Sequence, residues 1–192
     1  MIISKNEDAA HRKFGTYDEF FDGLNHVCSR IKKIDNKILR STIELAIEIS
    51  REGREGRKIG TMFVIGDEEA VLESSRTLIL DPLQGHPDHL KHIEDPNMRE
   101  TIKELAQLDG AFIISGKGIV LSATRYLDAN SKDIELPLGL GSRHVAAASI
   151  SKNTKAVAVV VSESSVVRIL SRGEIMAEII PELWLIQQVA QS

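Results

Sequence analysis

Cysteine occurs once in this 192-residue chain, at Cys28, so no disulfide can form within it, and a reducing compartment is the simplest setting. No apolar run approaches the roughly 18 residues that a membrane-crossing helix needs, and the N-terminal MIISKNEDAAHRK lacks the apolar centre of a secretion signal. A cytosolic protein without a membrane segment is expected. Basic residues are not in excess either: 24 Lys and Arg stand against 28 Asp and Glu. The field of the whole molecule therefore does not gather polyanions, no nucleic-acid binding is expected, and a phosphate ligand would need a local positive pocket. Aromatic residues make up only 4% of the chain, which leaves an aliphatic core. The length suits one globular domain, and there are no repeats and no low-complexity segment.

Apolar spacing supplies the elements. Thr16 can cap a helix from Tyr17, in which Phe20, Phe21, Leu24, Val27, Cys28 and Ile31 recur at helical intervals. Asp35 caps a second helix with a stripe of Ile38, Leu39, Ile43, Ala46, Ile47 and Ile49, which gives way to the charged SREGREGRK. A strand is predicted over Ile59 to Ile65, ending at Gly66-Asp67, and a short apolar run, Leu78 to Leu80, stops at Pro82. After a loop rich in His, Pro and Asp, Asn97 opens a helix that stops before Asp109-Gly110. AFII and IVLSAT flank Ser115-Gly116-Lys117-Gly118 as a hairpin, and an Ala-rich helix runs from Ser142 to about Ile150. AVAVVV, from Ala156 to Val161, reads as a buried central strand because it has no polar alternation. VVRIL and EIMAEII form a second hairpin, and Pro181 can start a last helix through Trp184, Leu185 and Val189. The hairpins require antiparallel pairs. The expected class is therefore α/β in the α+β sense: a mixed sheet packed by helices on both faces, with residues 1–58 as a helical segment on a core of residues 59–192.

Polar residues stand where three apolar runs end. Asp109-Gly110-Ala111 sets a carboxylate beside a glycine that permits close backbone approach. Gly139-Leu140-Gly141-Ser142-Arg143-His144 leads glycines into a helix, whose N-terminal N–H groups and positive dipole end suit a phosphate. Ser162-Glu163-Ser164 closes the buried strand. Each feature alone reads as a turn, a cap or a solvated strand end. In this order they resemble the diadenylate cyclase domain of the DNA-integrity scanning protein and of membrane-attached bacterial cyclases. That family carries Asp-Gly-Ala, then Gly-Thr-Arg-His-Arg-Ala-Ala, then Val-Val-Ser-Glu-Glu. Here these stand as Leu108-Asp109-Gly110-Ala111, Gly141-Ser142-Arg143-His144-Val145-Ala146-Ala147 and Val160-Val161-Ser162-Glu163-Ser164, and Tyr126-Leu127 is similar to a Tyr-Leu pair of the family. The resemblance runs from about Ile59 to Ile175. Val145 replaces a second Arg, Ser142 a Thr, Ser164 a second Glu, and Ser151-Lys152 stands where Ser-Glu is usual. These departures suggest a divergent, archaeal-type branch.

The resemblance implies an enzyme that condenses two ATP into cyclic di-AMP and two pyrophosphates, one ATP per protomer, with a second copy of the chain face to face. It implies Asp109, Arg143 and His144 as catalytic residues and a divalent metal, Mn or Mg, on Asp109 and His144. It also implies nucleotide contacts from Gly110, Ala111, Leu127, Gly141, Ser142, Arg143, Ser162 and Glu163. Val145 and Ser164 keep open an alternative, a module of the same fold that binds an adenine nucleotide or cyclic dinucleotide without turning it over. Two other clusters read as ordinary surface. His86, His89 and His92 fit no standard zinc spacing and lie in a loop marked by Pro87 and Pro96. Arg51, Arg54, Arg57 and Lys58 interleave with Glu52 and Glu55.

Overall fold

The alternation of side chains along two fully buried strands determines how this molecule is layered. In Thr61–Ile65 (β2), Phe63 and Ile65 face one side of the sheet and Met62 and Val64 the other. In Val157–Val161 (β6), Val157, Val159 and Val161 share the first side, Ala158 and Val160 the second. A strand with no polar face has to be covered on both sides. The computed structural model describes residues 2–4, 17–31, 34–128 and 134–181, and it shows helices on each face. The expected cap at Thr16 and the expected closing helix through Trp184, Leu185 and Val189 lie outside the described residues.

Among the described residues, eight strands form one sheet in the order β1-β8-β7-β6-β2-β4-β5-β3. They are Ile2–Ser4 (β1), β2, Ser75–Thr77 (β3), Ala111–Ile114 (β4), Val120–Leu127 (β5), β6, Val167–Ser171 (β7) and Glu174–Ile179 (β8). Among the described residues only β2 and β4 run parallel, and the other pairs are antiparallel, including the two expected hairpins β4–β5 and β7–β8. On the first face Tyr17–Arg30 (α1) packs against Asn36–Glu52 (α2), and α2 lies on β6 and β7. Pro96–Leu105 (α4) adds Met98 and Ile102 to the same core. Phe63 and Phe112 stack there with centroids 5.3 Å apart, worth about 0.5–1.5 kcal/mol beyond their burial. On the second face Glu68–Glu73 (α3) and Ser142–Asn153 (α5) cover the sheet.

Local chemistry starts these helices. The Asp35 carboxylate accepts from the Lys37 N–H at 2.8 Å to begin α2, and Asp95 accepts from Met98 N–H at 3.0 Å to begin α4, with Pro96 at its first turn. Ala147 and Ala148 are fully buried in α5, and their small side chains let the helix sit close on β6. Three features depart from expectation. The N-terminal segment is not purely helical, because Ile2–Ser4 pairs with Ala177–Ile179 as an edge strand. Helix α3 and strand β3 are additional elements, and the short apolar run Leu78, Ile79 and Leu80 is exposed. Cys28 is buried in the α1–α2 contact, where desolvation pushes its thiol up to about 11.

Candidate active site

Helix α4 stops at Leu105, and the chain turns through Leu108 and Asp109 into β4. The turn fits because Gly110 has φ +108°, and because a Cβ on it would lie 2.5 Å from the Thr124 carbonyl carbon and 2.7 Å from the Thr124 Cα. Strand β5 approaches this closely through a bulge. Ala111 faces Arg125 while Ile113 faces Ser122, so β5 takes three steps where β4 takes two. Thr124, at the bulge, has φ +54°, which is unfavourable for a β-branched residue by about 1–2 kcal/mol, and its buried hydroxyl has no partner among the described residues. The Leu78 N–H, donating to the Thr124 carbonyl at 2.9 Å, helps hold it. The outcome is an outward carboxylate: the Asp109 side chain is 87% exposed.

The second corner is the start of α5. Gly141 is its extended N-cap residue with no side-chain capping bond, and its carbonyl already accepts from the His144 and Val145 N–H groups. The Ser142 and Arg143 N–H groups precede any intrahelical acceptor, as in every α-helix. Arg143 then joins all three motifs. Its Nη2 lies 3.2 Å from Asp109 Oδ1 and its Nη1 lies 3.3 Å from Glu163 Oε1. Both carboxylates are exposed, so these ion pairs contribute at most about 1 kcal/mol each, and the guanidinium can exchange them for a phosphate at little cost.

Three cavities border this guanidinium, two of them beside Ser142. The larger, about 780 Å³, is lined by Asp109, Gly110, Arg125, Tyr126, Leu127, Ser142, Arg143 and Val145, with Met62 and Leu78. The smaller, about 380 Å³, is lined by Gly139, Gly141, Ser142, Arg143, His144, Ser162, Glu163, Ser164 and Arg168. Ser142 and Arg143 belong to both. Of the residues expected from sequence, Asp109, Gly110, Leu127, Gly141, Ser142, Arg143, Ser162 and Glu163 therefore border one connected region. Ala111 does not line it with its side chain, which is fully buried among Met62, Ile113 and the α5 alanines. The Ser162 hydroxyl is 2.7 Å from that of Ser164 and bonds to both backbone groups of Val166, so it also closes the turn after β6.

His144 is placed differently from the reading that makes it a metal ligand with Asp109. Its side chain is buried, and its Nε2 lies 3.1 Å from Nη1 of Arg168, whose Nε in turn lies 3.1 Å from Glu178 Oε1. A guanidinium only donates, so Nε2 accepts and the ring proton sits on Nδ1. The lone pair a metal would use at Nε2 is taken, with a cation beside it. Burial first, then the Arg168 charge, lower the imidazole to about 4, against an opposing pull from Glu178. Among the described residues, no three His, Cys, Asp or Glu side chains gather as a metal site.

Sequence reasoning named Tyr126 and Leu127 on the cleft wall but missed Arg125 and Arg76 beside them. Arg125 is fixed by bonds from its Nη2 to the Leu72 and Ser75 carbonyls and from its Nε to the Ser75 hydroxyl, and Arg76 stacks 4.6 Å over the Tyr126 ring. The signal was present in the Arg-Tyr pair that interrupts an apolar strand. Two other clusters have local partners. His92 accepts from the Glu94 N–H at 3.3 Å and reaches the Lys117 carbonyl at 3.1 Å, stapling its loop to the β4–β5 turn, and Arg54 pairs with Glu104.

The family model described as DisA bacterial checkpoint controller nucleotide-binding matches residues 48–175. A diadenylate cyclase of Methanocaldococcus jannaschii is 46% identical over 182 residues, covering 94% of this chain and 54% of that protein. A diadenylate cyclase of Haloferax volcanii is 37% identical over 153 residues, covering 79% of this chain and 56% of that protein. The chain thus spans about half the length of the curated relatives it matches. Among solved structures, a double cysteine variant of DacA from Staphylococcus aureus aligns with TM-score 0.50 at 22% identity, over 80% of this chain and 92% of that one. A hypothetical membrane-spanning protein of Bacillus cereus aligns with TM-score 0.51 at 24% identity, over 70% of this chain and 60% of that one. At such identities the likeness concerns the fold.

Proposed function

Because the chain belongs to the DAC family of DisA-type nucleotide-binding domains, we propose that it is a diadenylate cyclase, condensing two ATP into cyclic di-AMP and two pyrophosphates. The observation that carries this reading is the Arg143 guanidinium held between Asp109 and Glu163, at the meeting of a large cleft and a helix N-terminus. The larger cleft, with its Tyr126 and Leu127 wall, takes the nucleoside. The α5 start, Ser142 and Arg143 take the phosphates, and Gly141, Ser162 and Glu163 border the path of the polyphosphate. Each 3′-hydroxyl attacks the α-phosphorus of the other nucleotide, the bond to the β-phosphate oxygen breaks, and the hydroxyl proton leaves as the ester forms. Two such displacements close the ring. Positioning and charge stabilisation carry most of the rate, and Arg143 and Asp109 are the residues placed for them.

A divalent ion, Mg or Mn, fits one part of the expected donor set. Asp109 offers an exposed carboxylate that would hold the ion beside the phosphate site. His144 does not fit, for the reasons above, and acts instead as a buried support for α5. When bound, the ion would offset phosphate charge. The exposure of Asp109 and the open cleft suit a second copy of the chain carrying the other ATP, and that pairing is part of the proposal. Among the described residues, no helix is long and apolar enough to cross a membrane.

Incubation with ATP and Mg²⁺ or Mn²⁺, followed by mass analysis, tests the reading. Cyclic di-AMP with two pyrophosphates per product is the expected result. Nucleotide bound but unchanged would assign a binding module instead, and no binding would end the assignment.

A further inference from the structure

Gly60 precedes β2 and is buried beside Arg143 and Glu163. Its backbone is not in the left-handed region, so conformational freedom does not explain a glycine there. The missing side chain provides room. A Cβ at Gly60 would lie 2.8 Å from Nη1 and 3.3 Å from Cζ of Arg143, and 3.2 Å from Cγ of Glu163. The next residue, Thr61, is registered opposite Val161, two positions before Glu163, so the sheet fixes the spacing between Gly60 and that carboxylate. The guanidinium therefore lies on bare backbone at the point where it reaches Asp109 on one side and Glu163 on the other.

We propose that Gly60 is a positioning residue for Arg143: its bare backbone is the floor on which the guanidinium bridges Asp109 and Glu163. For its effect on turnover the proposal rests on the cyclase reading; for the geometry it stands alone. The crowded atoms are side-chain atoms and not strand backbone, so a methyl group at position 60 displaces the guanidinium and leaves the sheet in place.

The test is Gly60→Ala in the full chain. The expected result is a thermal midpoint close to that of the unchanged chain, cyclic di-AMP formation reduced at least about tenfold mainly in kcat, and a crystal structure in which Arg143 no longer bridges Asp109 and Glu163. In an Arg143→Lys background the same substitution should add less than about twofold, because the residue it acts through has already been altered. An intact bridge in the Gly60→Ala crystal structure, a full tenfold loss on top of Arg143→Lys, or unfolding of Gly60→Ala would each overturn the proposal. If the unchanged chain makes no cyclic product, the cyclase reading falls, and the crystal structure still decides whether Gly60 places Arg143.

Discussion

Asp109 and His144 are neighbours of the same arginine, yet one faces solvent and the other the core, and they respond to mutation in opposite ways. Asp109→Asn removes a carboxylate whose ion pair with Arg143 is exposed, so stability should change by no more than about 1 kcal/mol. Cyclic di-AMP formation should fall at least about 100-fold. Thermal melting and product assays on the same preparation check both halves, and retained turnover would remove Asp109 from the mechanism. His144 predicts a pH effect on stability instead. The unfolded imidazole takes its proton near the ordinary 6.5 and the folded one near 4, so the unfolded state binds more protons between those values. Stability is fully present above about pH 6.5, falls as the pH drops through that window and levels off near 4, with a loss of about 2 kcal/mol by pH 5. Urea titrations of the protein and of His144→Gln at both pH values isolate this share, and equal slopes would refute it. The identity of these residues was legible from the three motifs, but the direction of the His144 side chain was not. Its partners, Arg168 and Glu178, come from β7 and β8, and nothing local in SRHVAA announces them.

At the scale of elements, α5 depends on small residues. Ala148→Leu should destabilise by about 1–3 kcal/mol, because the helix cannot move away from β6 without opening the core that Val160 and Ile150 share with it. A shift in urea midpoint measures it; an unchanged midpoint would mean the second face is loosely packed. The long elements were legible because their apolar spacing is unbroken: α2, β6 and both hairpins lie where the sequence placed them. Helix α3 and strand β3 were not, for a physical reason. EEAVLE has one fully buried apolar residue, and SRT has no β pattern at all; β3 exists because its backbone pairs with β5 and because Ser75 and the Leu72 carbonyl hold Arg125. The fixing of Arg125 in the cleft wall is therefore tertiary in origin, although the Arg-Tyr pair that marks it stands in the sequence.

For the whole molecule, the proposed function requires two ATP sites on separate protomers to meet, so specific activity should fall on dilution once protomers separate. A rate per protomer that stays constant across the dilution range would exclude a transient pair. The sheet that presents the site also carries a vulnerability in β5. Ala123 belongs to the α1–α2 side of the core and Leu127 to the α5 side, although an even number of positions separates them. Only the surplus residue at Thr124 reconciles the two. Deleting that one residue would remove the first of the two β4–β5 irregularities and, in doing so, turn Tyr126 inward and Leu127 out. This wall of the cleft would be inverted by a change that touches none of the signature residues.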